Sequence, residues 1–207
     1  MPVSRPANKV FEEVAVKARS TGGYLERMER LHSGGNLSRR DLLRVYGGAF
    51  LTFQSVVENS IESLFIGLAS GRLNHPDRNV RSLVEIRSPA VARRVVYGAR
   101  PYADWLPYNR HTIPRAEAFL SGARPFCDLP KADRTSLDNM ATLRNALAHK
   151  SSHALKQFRR IFTDGKPLPP EQCQPPGYLR GQHAAGQTRV DYLMSSALQT
   201  MRQLCGA

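Results

Sequence analysis

The heptapeptide Leu143-Arg144-Asn145-Ala146-Leu147-Ala148-His149 places a guanidinium, a carboxamide and an imidazole within six positions. These types suit cleavage of RNA without a metal. The ribose 2′-OH is its own nucleophile, so a protein need supply a proton acceptor, a proton donor and a cation for the phosphorane charge. Histidine titrates near neutrality and serves as either acid or base. Arginine holds a permanent, forked charge against phosphate oxygens. Asparagine can fix a histidine tautomer or hold a phosphate oxygen. Spacing alone does not select this string: Arg27 and His32 repeat it in a charge-dense segment that reads as a solvated helix face.

Geometry constrains how the three can act together. On one helix Asn145 and His149 lie about 40° apart and one turn from each other. Arg144 stands about 140° and about 7.5 Å from His149. A straight helix therefore does not converge Arg144 on His149 unless the arginine curls around or the helix ends early. Two such helices meeting across a two-fold axis would bring both copies of the set into one cleft, with two imidazoles for two proton transfers. His149 is also expected near its helix's C-terminus, where the dipole favours the cation by about 0.3–1 kcal/mol. Arg144 and Lys150 push the other way.

The neighbouring residues extend the candidate site. Lys150 and His153 read either as RNA contacts or as solvated groups, and Lys156, Arg159 and Arg160 form a basic helix that can track a phosphate backbone. The arginines from Arg78 to Arg94 offer a second such cluster. His149 and His153 have the i, i+4 spacing of metal ligands, but no carboxylate or cysteine nearby completes a set. No metal and no cofactor is expected. Glu58 and Glu62 share a helix face and read as anchors for arginines; alternatively Glu58 or Asn59 faces the cleft and orients Arg144 or His149. Tyr102, Trp105 and Tyr108 cluster between prolines, and burial is favoured over stacking on bases.

Composition narrows the class of partner. The 207 residues carry 30 Lys+Arg against 17 Asp+Glu, a formal charge of +13, which suits a polyanion. The apolar share is 41 %, enough for a globular core. No run of about 18 apolar residues is present, so no membrane span is expected. The first residues, Met1-Pro2-Val3-Ser4-Arg5-Pro6, lack the apolar stretch of a signal peptide. Cys127, Cys173 and Cys205 are odd in number and far apart, which argues against a disulfide framework or zinc ribbon and for a reducing cytoplasm. A phosphate-binding glycine loop and a GxSxG elbow are both missing.

The elements that must position the candidate residues read almost entirely as helix. Helices are expected over Lys9 to His32, interrupted at Gly22-Gly23, and from Ser38 to about Gly71. In the second, Leu42, Tyr46, Phe50, Phe53, Val57, Ile61, Leu64 and Leu68 form one apolar stripe. Its Gly47-Gly48 pair marks a kink or a close helix contact. Shorter helices are expected near Pro89 to Val96 and Ile113 to Leu120, with Pro114 in the first turn of the latter. Capping boxes at Thr135/Asp138 and Thr188/Asp191 open two more, and Ser152 to Phe162 forms the basic helix. Residues 164–187, rich in Pro and Gly, read as a long loop. The expected architecture is a single all-α bundle of five to seven helices with one long core helix. It comprises an N-terminal extension (1–36), a core (38–162), the loop (164–187) and a C-terminal helix (188–207), with any strand confined to Leu83–Ile86.

Arg144-Asn145-Ala146-Leu147-Ala148-His149-Lys150-Ser151, late in such a bundle, resembles the signature of stand-alone bacterial members of the HEPN superfamily. Arg115-Ala116-Glu117-Ala118-Phe119 and Pro125-Phe126 are also similar to segments of some of these proteins. The resemblance covers roughly Leu42 to Phe162. It implies a HEPN-like helical fold and a homodimer whose interface builds a composite ribonuclease site from Arg144, Asn145 and His149. It also implies products ending in a 2′,3′-cyclic phosphate and a 5′-hydroxyl. The expected partners are RNA, a second copy and, for a toxin or defence effector, a cognate antitoxin or inhibitor protein. Many HEPN-like domains are inactive scaffolds, so a non-catalytic module binding RNA or protein is the alternative.

Overall fold

The computed structural model describes residues 5–86, 88–149 and 151–207. Ser38 opens its longest helix: the hydroxyl accepts from the Asp41 amide and donates to the Asp41 carboxylate, satisfying an orphan donor of the first turn. Helix α1 (Asn8–Ser33) precedes it, and α2 itself runs Arg39–Ala69. All eight residues of the α2 stripe are buried. Gly71, at a φ of +65°, ends α2 with amide bonds from Arg72 to Gly67 and from Gly71 to Leu68, the 6→1 and 5→2 pair of a Schellman cap. The remaining helices are α3 (Pro89–Tyr97), α4 (Tyr108–Phe119), α5 (Lys131–His149), α6 (Ser152–Phe162), α7 (Pro175–Arg180) and α8 (Arg189–Cys205). The protein is all-α, with eight α-helices among the described residues where five to seven were expected.

The chain divides into two compact units: Met1–Ala15 with Val57–Asp138 and Ala197–Ala207, and Val16–Val56 with Asn139–Ser196. In the first unit Phe65 is the aromatic centre, with ring centroids 4.9 Å from Trp105 and 5.5 Å from Phe126. Trp105 donates its indole N–H to Glu62, which also pairs with Arg93. Trp105 and Tyr108 are buried as expected, whereas Tyr102, for which burial was also expected, is exposed.

In the second unit Gly47 meets α5: a β-carbon there would stand 3.3 Å from Leu147 Cδ2. The glycine pair thus marks a close helix contact. Phe158 and Phe162 of α6 pack on Tyr178 of α7. Glu29 of α1 accepts from Tyr46 of α2 and takes a two-pronged ion pair from Arg180 of α7. The reciprocal Thr188/Asp191 capping box opens α8 as expected.

Several local expectations are corrected. Gly22-Gly23 does not interrupt α1. Thr135/Asp138 does not open a helix, because α5 already starts at Lys131; Asp138 instead accepts from the Tyr108 amide and the Asn109 side chain at the start of α4. Pro114 lies in the middle of α4 rather than its first turn. Leu83–Ile86 forms no strand; next to it Ser82 makes one isolated bridge with Leu120. Two-residue strands pair instead at Arg5–Pro6 with Leu73–Asn74, and Gln182–Ala184 pairs with Gln187–Thr188. The segment 164–187 is not a slack loop. It holds a 3-10 turn at Pro170–Cys173, all of α7 and a hairpin strand, anchored by buried Leu179 and by Arg189 stacked 4.5 Å over Tyr178.

Two stability effects follow. Gly48 borders open space and Gly47 does not. Gly48→Ala should stabilise by about 0.5–1 kcal/mol, whereas Gly47→Val should cost about 1–3 kcal/mol by overpacking; urea denaturation checks both. The hydrogen bond from Arg180 holds the half-buried Glu29 carboxyl below its usual range. A lowered folded-state value gives stability that is full above the ordinary carboxylate range and is lost as pH falls from there through the lowered value. Glu29→Gln should therefore cost about 1–3 kcal/mol at neutral pH. Its deficit against wild type should close below about pH 4 in pH-dependent melts.

Candidate functional site at the junction of α5 and α6

The site lies in the second unit, where one helix stops and the next begins. Leu143, Ala146 and Leu147 turn the buried face of α5 inward, leaving Arg144 and His149 exposed and Asn145 half-buried. His149 is the last residue of α5. Ser151 then caps α6, its hydroxyl accepting from the Ala154 amide at 3.2 Å. Ala154, Phe158 and Phe162 bury the inner face of α6, which leaves His153 on the outer one.

These two helix ends form a cleft of about 280 Å³, lined by Thr142, Asn145, His149, Ser151, His153 and Gln157 among others. Asn145 and His149 therefore share a wall, as their one-turn spacing requires. Arg144 does not line the cleft. Its Nη1 donates to Asn145 Oδ1 at 2.9 Å, so the guanidinium folds back over the carboxamide instead of reaching toward His149. His153 stands in the same cleft as His149. The i, i+4 spacing that suggested metal ligands on one helix is broken, since one imidazole ends α5 and the other begins α6. Among the described residues no group of three His, Cys, Asp or Glu side chains is placed to hold a metal ion.

From His153, the positions Lys156, Gln157 and Arg160 continue one face of α6 by helical spacing, and Arg159 lies about 100° around from it. Lys156, Arg159 and Arg160 are all exposed. Lys150 lies outside the described residues. Glu58 accepts from the Trp105 amide at 3.3 Å in the first unit, and Asn59 of that unit is exposed. Glu62 pairs with Arg93, the arginine anchor expected of it, whereas Glu58 holds the Trp105 backbone amide instead. Where Arg27 and His32 repeat the spacing, the His32 ring is tied to the Leu37 carbonyl. Burial makes the Cys205 thiol a poor nucleophile candidate, pushing it up to about 12.

Sequence reasoning missed Gln157, Thr142 and Ser151. The signals were present: Gln157 is one turn after His153, and Ser151 precedes a run of helix formers as an N-cap does. Among the described residues no helix is long and apolar enough to cross a membrane. Comparison with protein-family models, with curated proteins and with solved structures finds no match to this chain.

Because Ser151 sets where α6 begins, Ser151→Ala should cost about 1 kcal/mol. Denaturant titration reads the loss, and amide exchange at Ala154 should accelerate.

Proposed function

We propose that the protein is a metal-independent endoribonuclease of HEPN type whose site is the α5–α6 cleft. The observation that carries this reading is the placement of Asn145, His149 and His153 around one cleft, with Arg144 bonded to Asn145 at its edge. One imidazole removes the 2′-OH proton, and the 2′-oxygen attacks the adjacent phosphorus. The P–O5′ bond breaks, and a second imidazole protonates the leaving 5′-oxygen. The products are a 2′,3′-cyclic phosphate and a 5′-hydroxyl. Arg144 supplies the cation for the phosphorane, and Asn145 holds that guanidinium through its Oδ1 while its amide N–H groups remain for a phosphate oxygen or an imidazole.

The second imidazole has two sources: His153 of the same chain, or His149 of a second copy across a two-fold axis. The homodimer follows from the family resemblance, and His153 is the source within the single chain. Exposed Lys156 and Arg160, on the His153 face, extend the cleft toward the flanking phosphates of a single strand. A non-catalytic RNA-binding module is the second reading. It is favoured by one observation, that Arg144 folds onto Asn145 and away from the cleft wall.

Purified protein should cut single-stranded RNA in the presence of EDTA and leave the all-deoxy analogue intact. His149→Ala should lower the cleavage rate by about 10²-fold or more, with an unchanged melting temperature. His153→Ala having a comparable effect would assign both proton transfers to one chain. Equal cleavage by wild type and His149→Ala would end the nuclease reading, and salt-sensitive binding without cleavage would establish the binding module.

A further inference from the structure

A larger cleft, of about 770 Å³, lies elsewhere in the second unit between α1 and α2. Lys17, Arg19 and Arg27 of α1 and Arg44 of α2 line it, and no carboxylate does. Lys17, Arg19 and Arg27 have no ion-pair partner among the described residues. Arg44 pairs with Asp41 at 3.0 Å, both side chains being well exposed, which leaves its charge weakly spent. Tyr24 lines the same cleft and is 39 % exposed. On the α2 side Gly48 forms part of the wall, and nothing lies within 4 Å of where its β-carbon would be.

The layout along α1 matters more than the count of charges. Lys17, Ser20, Tyr24 and Arg27 recur at steps of three and four, which puts a hydroxyl and a phenol ring between two cations on one face. Lys17 and Arg27 are ten residues apart, about 15 Å along the helix axis. At the 3.4 Å rise of a stacked strand this is the length of about four nucleotides. A single phosphate would need only one end of such a track. Cations that follow a backbone with an aromatic ring between them are how single-stranded nucleic acid is held without regard to sequence. An acidic peptide would use the cations and leave the exposed ring unexplained.

We propose that the α1–α2 cleft is a second nucleic-acid site, one that holds the backbone of a single-stranded oligonucleotide on Lys17, Arg19, Arg27 and Arg44 and stacks a base on Tyr24. The assignment rests on this cleft alone and stands whether or not the α5–α6 cleft cuts RNA. It also changes the standing of Arg27, which sequence spacing alone left as a solvated residue.

The test is fluorescence anisotropy with a labelled all-deoxy 12-mer, which lacks the 2′-OH and so reports binding apart from cleavage. The full-length double variant Lys17→Ala/Arg27→Ala should bind about tenfold or more weakly at low salt, and its log–log salt slope should be shallower by about 1.4, at about 0.7 for each lost cation. Tyr24→Ala should weaken binding several-fold at unchanged slope. Gly48→Glu puts a carboxylate into the cleft at an open helical position and replaces glycine by a better helix former. It should melt no lower than wild type and lose binding. Lys9→Ala, whose lysine is paired with Glu12 outside the cleft, should bind as wild type. Unchanged affinity in the double variant and in Gly48→Glu overturns the proposal, as does equally tight binding of a polyglutamate peptide of the same charge. Loss of cleavage in His149→Ala with oligonucleotide binding intact separates the two sites.

Discussion

Leu147 rests against the bare α-carbon of Gly47, and the placement of the α5–α6 cleft depends on that contact. A β-carbon at Gly47 would stand 3.3 Å from Leu147 Cδ2, so Leu147 or the helix carrying it would have to give by a few tenths of an ångström. With the contact made, Leu143, Ala146 and Leu147 fill the interior, and helical geometry leaves Asn145 and His149 no choice but the outer face. Gly48, the next residue, faces a different direction and leaves the α1–α2 cleft open. Two adjacent glycines thus serve two neighbouring helices, one by close approach and one by leaving room.

The charge of the chain has a structural counterpart in how the cations are used. Carboxylates of the interior are committed: Glu29 to Arg180 and Tyr46, Glu62 to Arg93 and Trp105, Asp138 to the start of α4. Seventeen acidic residues cannot neutralise thirty basic ones, which leaves a surplus of thirteen positive charges. Part of the surplus lines the α1–α2 cleft, at Lys17, Arg19 and Arg27, and part is exposed on α6, at Lys156 and Arg160. A concave wall with surplus positive charge concentrates anionic ligands more strongly than the same charges spread over a convex surface.

Residues 164–187 show why composition misleads about order. Pro and Gly mark turns, and a run of them reads as loop. Here the prolines start helical turns at Pro170 and Pro175, where a missing N–H costs nothing. Gly177 and Gly181 are close approaches: β-carbons there would collide with the Glu171 carbonyl and with the Arg189 guanidinium. Arg180 ties the segment to α1 by pairing with Glu29, and Arg189 at the start of α8 stacks on Tyr178. The order comes from partners far away in sequence, which no local pattern could announce.

What the amino-acid order determined unaided is whatever depends on period and on neighbours three or four residues away. The all-α class, the eight-residue stripe of α2, the Ser38 and Thr188 caps, the Gly71 stop and the shared face of Asn145 and His149 all belong there, because helix geometry is set by local hydrogen bonds. Tertiary structure alone decided the rest. It made Asp138 the partner of another helix's start, folded Arg144 onto Asn145, and brought His153 to His149 across a helix break. It also turned Arg27 from a surface charge into the lining of a cleft. The Asp138 and Arg27 placements are choices among partners distant in sequence, settled by which surfaces bury the apolar stripes; the Arg144 and His153 placements join near neighbours but depend on where α5 stops, and a one-dimensional pattern specifies that a stripe must be covered without saying by what.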